Sequence, residues 1–359
     1  MYIRSMLYFD CDYNNGCHPK VLEALVSTNG EYSGTYGGDH FCAAAKNAIR
    51  EACEDPDADV FFLAGGTQTN STVIDCLLRP WQGVVAAPTG HIAVHEAGAV
   101  EYSGHKVFTL PGASPCASEG KIDPSELESL LKSFKDDPTR DHMAEPALVY
   151  ISLPTELGGL YSAAELQLVF EAAHRYGARL FVDGARLAYA LAAEGNDISL
   201  PFLAAHCDAF YIGGTKCGAL CGEAVVFPRA GAPDHFFTRI KQHGALLAKG
   251  RLAGVQFGAL FEDGLYKKTG READRLASLI PGLFRKYGLG REDHPSRTNQ
   301  QFILVRSDIL AELSSKVAFE VWQETPPGAP GFALCRFVTS WATVQEDISE
   351  LEKVLMALC

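Results

Sequence analysis

Along the chain, short apolar runs rich in β-branched and aromatic residues alternate with stretches whose apolar positions recur at helical spacing. The runs at residues 60–63, 84–87, 106–110, 147–153, 178–183, 208–213 and 223–227 read as strands. Strands that alternate with helices predict an α/β fold, with a mostly parallel seven-stranded sheet covered by helices on both faces. Two helix starts are legible in detail. Asp123-Pro124-Ser125-Glu126 combines a cap, a proline at the first helical position and an acid at the third. Ser162-Ala163-Ala164-Glu165 is a capping box whose helix is expected to end near Gly177. Past Phe227 the texture changes. Residues 235–258 are rich in Lys, Arg, Gly and Ala, and a helical stretch follows to beyond Tyr287. The tail then reads helix, strand (301–305), helix, strand (332–338) and helix (344–358), with a Pro-Gly loop at 326–331. These elements predict a large domain at residues 31–245 that carries the site, and a smaller C-terminal α+β domain at 246–359. Residues 1–30 are expected to form an N-terminal segment packed with the small domain.

Composition narrows the function classes. The 359 residues carry a net charge of −13, which argues against a nucleic-acid partner, since phosphate backbones call for a basic face. No apolar run reaches the roughly 18 residues of a membrane-spanning helix, and residues 1–10 lack the apolar core of a secretory signal. No membrane association is expected. Eleven cysteines at irregular spacing, without a CxxC pair, fit free thiols in a reducing cytoplasm better than a disulfide framework. No ligand spacing calls for a metal.

Candidate chemistry gathers at strand ends. The strand at 178–183 runs directly into Asp183-Gly184-Ala185-Arg186, and ligands of open α/β sheets sit beyond such carboxyl ends. The next strand ends in Gly213-Gly214-Thr215-Lys216, delivering Lys216 to the same edge. A lysine and an aspartate so placed suit pyridoxal phosphate, whose aldehyde a lysine holds as a Schiff base while an acid pairs with the ring nitrogen. Gly65-Gly66-Thr67-Gln68-Thr69-Asn70 follows a strand and opens a helix, an arrangement that catches phosphate on free amides at the positive dipole end. His91, just after another strand, could lie on an aromatic cofactor or move a proton.

Gly66-Thr67-Gln68-Thr69-Asn70, His91 with Glu96-Ala97-Gly98, Asp183-Gly184-Ala185-Arg186 and Arg336-Phe337-Val338-Thr339 resemble the low-specificity L-threonine aldolases, which are fold type I, aspartate-aminotransferase-like pyridoxal-phosphate enzymes. The resemblance spans nearly the whole chain. It implies retro-aldol cleavage of a β-hydroxy amino acid to glycine and an aldehyde; β-elimination, transamination or racemisation of an amino acid is the alternative. It also implies roles. Lys216 would hold the cofactor, Asp183 would keep the ring nitrogen protonated, and His91 would stack on the ring. Gly66 and Thr67 would bind phosphate. Arg186 would lie near the phenolic oxygen and the substrate carboxylate, and Arg336 would clamp that carboxylate. Lys249 or Arg251 would reach the cofactor of a neighbouring subunit in a homodimer or homotetramer. Two departures bear on the substrate. Cys11 stands where a carboxylate-contacting serine is usual. Leu157 stands in place of a histidine near the substrate hydroxyl, so that wall is expected to be apolar and to favour aryl substrates. The base for the β-hydroxyl would then be a water, His91 or Glu156; the water is preferred on the expectation that Glu156 points away.

Overall fold

A computed structural model describes residues 6–359. Its strands are β1 (Leu7–Tyr8), β2 (Asp59–Leu63), β3 (Gln82–Ala86), β4 (Lys106–Thr109), β5 (Glu145–Ser152), β6 (Arg179–Asp183), β7 (Ala209–Gly213), β8 (Glu223–Phe227), β9 (Gly290–His294), β10 (Gln300–Arg306), β11 (Val317–Ala318), β12 (Glu320–Gln323) and β13 (Phe332–Val338). All seven strands read from the large-sheet region are present. They form one sheet in the order β2-β8-β7-β6-β5-β3-β4. β8 runs antiparallel to both of its neighbours, and the other pairs are parallel. Because β8 is reversed, its first residue, Glu223, arrives at the edge where β5, β6 and β7 end. A sheet edge that collects side chains from both strand directions is where the site forms.

Both faces of this sheet are buried, which is why its strands read as unbroken apolar runs. Successive residues go to opposite sides. Val149, Ile151, Leu180, Val182, Phe210 and Ile212 join one core, while Leu148, Tyr150, Phe181, Ala209 and Tyr211 join the other. By the same alternation, Asp183 at the end of β6 shares a face with Tyr150 and Tyr211. A second sheet, β12-β13-β10-β9, is antiparallel, and Phe302, Ile303, Cys335 and Phe337 are buried in it.

The chain ends do not separate cleanly between the two sheets. β1 pairs with β11, so residues 7–8 belong with the C-terminal part, whereas Val21 of the helix Pro19–Thr28 joins the core of the large sheet. Phe257, Leu260, Leu265 and Ala273 also join that core, and Leu276, Ile280 and Phe284 join the C-terminal one. We propose that the division of the chain falls near Ala277 and not at 245, because the helices in between bury their apolar sides under the large sheet.

The capping box forms as read. The Ser162 hydroxyl accepts from the Glu165 amide at 3.2 Å, and the Glu165 carboxylate accepts from the Ser162 amide at 2.7 Å. Ser162→Ala should therefore lower stability by about 0.5–2 kcal/mol, seen as an earlier urea midpoint with an unchanged slope. An unchanged midpoint would show that the tertiary contacts of this helix make its cap redundant.

Candidate active site

Asp183 ends β6 with its side chain almost wholly buried. A buried carboxylate is tolerated only when hydrogen-bonded, and four donors meet this one. The Tyr150 hydroxyl reaches Oδ2 at 2.6 Å and the Asn70 amide reaches the same oxygen at 2.9 Å. The Tyr211 hydroxyl reaches Oδ1 at 2.5 Å, joined by the Ala185 backbone amide at 2.9 Å. Burial pushes the Asp183 carboxyl up, but the tyrosine hydroxyls and the Ala185 amide outweigh it and hold the group below the ordinary aspartate value. Asp183 is thus a fixed anion. Glycine makes its turn possible: a Cβ on Gly184 would meet the Tyr211 carbonyl oxygen at 1.9 Å, and one on Gly213 would meet the Ala185 carbonyl oxygen at 2.3 Å.

Asn70 spends its second N–H on Glu96 Oε1 at 2.8 Å, and the same oxygen meets His91 Nδ1 at 2.7 Å. The imidazole is thereby fixed in the wall of a cavity of about 370 Å³, a volume typical of cofactor sites. Lys216 enters the same cavity from the turn after β7. Glu223 steadies that turn by accepting from the Gly214 amide at 3.0 Å and from the Thr215 hydroxyl at 2.8 Å. Burial depresses the pKa of Lys216, Arg186 adds to this, and Asp12, Asp183 and Glu223 oppose it. The net shift is toward the neutral amine, the form that attacks a carbonyl. Burial pushes Glu223 up to about 8, so at neutral pH this acid is mostly protonated.

The helix Gly66–Leu77 starts at the cavity without a side-chain cap, and Gly65, Gly66 and Thr67 line the wall. Its first amides are the kind of donors that hold a phosphate. A planar aldehyde bearing a phosphate and a basic ring nitrogen finds a complementary group for each of its parts here: open helix amides, a lysine amine and a fixed anion. The lone pairs of Asp183 are already engaged, so a ring N–H must displace or share with one donor. Of the side-chain donors, Tyr211 and Asn70 line the cavity.

The cavity therefore brings together Gly66, Thr67, His91, Asp183, Arg186 and Lys216. Arg186 is held by Asp12 through two bonds, Nε to Oδ2 at 2.7 Å and Nη2 to Oδ1 at 3.0 Å. Four other residues lie elsewhere. Arg336 bonds Glu320 at 2.6 Å and Gln300 at 3.0 Å and does not line the cavity. Cys11 lines a separate cleft with Ser340 and Thr343. Lys249 and Arg251 line a surface groove with Leu22, Val26 and Tyr32, and Arg251 donates to the carbonyls of Glu31 and Thr28.

The expectation for Leu157 is corrected. The turn from Thr155 to Gly159, closed by backbone bonds between its ends, directs Glu156 into the cavity, while Leu157 is not in the wall. The Leu157 carbonyl instead accepts from His294 Nε2 at 2.8 Å. The apolar wall, and with it the basis for an aryl preference, is absent from this position. Sequence reasoning also passed over Tyr150, Tyr211 and Glu223. The two tyrosines share the alternation phase of Asp183, a signal that was available.

The beta-eliminating lyase family profile matches residues 20–293. A low-specificity L-threonine aldolase from Pseudomonas sp. (strain NCIMB 10558) is 28% identical over 353 residues, 98% of this chain and 97% of its own length. The threonine aldolase of Leishmania major superposes with a TM-score of 0.91 at 38% identity, covering 98% of this chain and 99% of that one. An aspartate aminotransferase from Thermus thermophilus shares the fold at a TM-score of 0.69 and 14% identity, over 99% of this chain and 92% of its own.

Proposed function

The chain belongs to the beta-eliminating lyase family, among its threonine aldolases, and we propose that it cleaves L-threonine-like β-hydroxy amino acids into glycine and an aldehyde. The observation that carries this reading is one cavity uniting a depressed-pKa lysine, a fixed aspartate and an uncapped helix start. Pyridoxal phosphate, when bound there, supplies an electron sink for the bond broken at Cα. Lys216 is the amine that holds it, and Asp183 keeps the proton on the ring nitrogen. His91, steadied by Glu96, would lie against the cofactor ring. The amides of Gly66 and Thr67 take the phosphate. Arg186, fixed by Asp12, would hold the phenolic side of the cofactor. Arg336, outside the cavity wall, would receive the substrate carboxylate by leaving Glu320, which is 41% exposed, since a guanidinium engages a carboxylate with two bonds.

The active protein is an oligomer of this chain. The Lys249 side chain forms no hydrogen bond or ion pair among the described residues, and it stands in a groove beside exposed Leu22, Val26 and Tyr32. It thus suits a second copy's phosphate end better than Arg251, which is already engaged. Sedimentation of active protein should report at least two chains; full activity in a monomer would defeat this. No helix among the described residues is long and apolar enough to cross a membrane, and all eleven cysteines are unpaired. Unpaired thiols suit a reducing compartment, and we place the enzyme in the cytoplasm, to be checked by fractionation.

Loaded with pyridoxal phosphate, the protein should convert L-threonine or L-allo-threonine to glycine and acetaldehyde. Lys216→Ala should lose both turnover and borohydride trapping of the cofactor. Arg336→Ala should raise KM about tenfold to a hundredfold, the loss of one charge-assisted bond of roughly 1.5–3 kcal/mol. Release of ammonia or a keto acid in place of acetaldehyde would move the protein to another reaction of the same cofactor.

A further inference from the structure

Building on the aldolase reading, we propose that Glu156 takes the proton from the substrate's β-hydroxyl as the Cα–Cβ bond breaks. The cavity wall holds four carboxyl side chains, those of Glu96, Glu156, Asp183 and Glu223. Three are committed. Asp183 accepts four hydrogen bonds, and Glu223 uses one oxygen for Thr215 and the other for Gly214. Glu96 takes Asn70 and His91 on Oε1, while its Oε2 is sealed in protein without a partner.

Glu156 differs. Its Oε1 accepts from the His91 backbone amide at 2.9 Å and from the Ser152 hydroxyl at 2.6 Å, which fixes the orientation of the group. Its Oε2 accepts no hydrogen bond among the described residues, and it is not sealed as Glu96 Oε2 is. Since the residue lines the cavity, this oxygen opens onto it. Burial raises the Glu156 carboxyl above the ordinary range, the Ser152 hydrogen bond and a backbone amide pull it down in part, and Asp183 adds to the rise. A carboxylate raised in this way is a stronger base than a free one and can also return the proton. His91 is less suited, because its Nδ1 is bound to Glu96 and its ring is needed against the cofactor.

The step balances. The O–H electron pair becomes the second bond of the aldehyde carbonyl, and the proton passes to Glu156 Oε2. The Cα–Cβ pair stays with Cα, which then takes up a proton to complete glycine. Glu156 returns its proton to solvent. The net change moves one hydrogen from the hydroxyl oxygen to Cα.

Glu156→Gln keeps the size of the side chain and an oxygen for His91 and Ser152, and removes the base. Two reactions of the pyridoxal-phosphate-loaded protein separate the roles: cleavage of L-threonine needs the hydroxyl proton removed, whereas exchange of glycine's α-hydrogen with D2O does not. Cleavage should fall by about 10²- to 10⁴-fold. Glycine exchange, and the change in the visible spectrum on glycine binding, should match the unaltered protein. Glu156→Asp, which retains a displaced carboxylate, should recover part of the cleavage. Unchanged cleavage in Glu156→Gln would overturn the proposal and transfer the role to His91 or water. Loss of exchange together with cleavage would overturn it as well, making Glu156 a support of the cofactor site. Failure of the aldolase reading shows in a different place, as no aldehyde from L-threonine with the unaltered protein, and the proposal falls with it.

Discussion

A charge held out of water at the end of β6 sets the terms for the rest of the site. An unpartnered carboxylate in the position of Asp183 would protonate or unfold its surroundings. The chain prevents this with donors from three directions: tyrosines from the flanking strands β5 and β7, Asn70 from the helix Gly66–Leu77, and the Ala185 amide just beyond the strand. Each donor fixes something further. Asn70 carries the constraint to Glu96 and so to His91. Tyr211 sits one strand from Asp183, on the strand that delivers Lys216, so the position of the anion and the position of the amine are set by the same strand pairing.

The charges in the cavity follow from this arrangement. Four carboxyl groups stand against Lys216 and an arginine already neutralised by Asp12. Such an excess of acid would repel a phosphate if all were ionised. The protein reduces it by burial, which holds Glu223 near a pKa of about 8. Asp183, surrounded by donors, remains charged. Similar side chains therefore hold different protonation states through their partners, which is how one site can include both a fixed anion and a proton acceptor.

Much of this was legible in the sequence. The seven large-sheet strands were readable because burial on both faces leaves unbroken apolar runs. β9, Gly-Arg-Glu-Asp-His, and β12, Glu-Val-Trp-Gln, were not, since edge strands alternate in exposure and carry charges that resemble loop residues. Asp183 and Lys216 stood out because acids and lysines rarely end buried strands without a reason. Tyr150 and Tyr211 did not, because their rings fit a core and their hydroxyl partners lie on another strand. The wall position shared between Glu156 and Leu157 was misjudged for a different reason: inside a tight turn no periodicity tells which of two neighbours faces inward. The division of the chain near residue 245 followed a change in texture, but texture does not record that the helices after it pack back under the large sheet.

The central claim is that Asp183, as a fixed anion, keeps the cofactor's ring nitrogen protonated and so makes it an electron sink. The most direct test is the ¹⁵N resonance of pyridoxal phosphate labelled at the ring nitrogen and bound to the protein. A pyridinium shift at neutral pH that moves to the neutral-pyridine position in Asp183→Asn is the result this account predicts. A neutral ring nitrogen in the unaltered protein would contradict it.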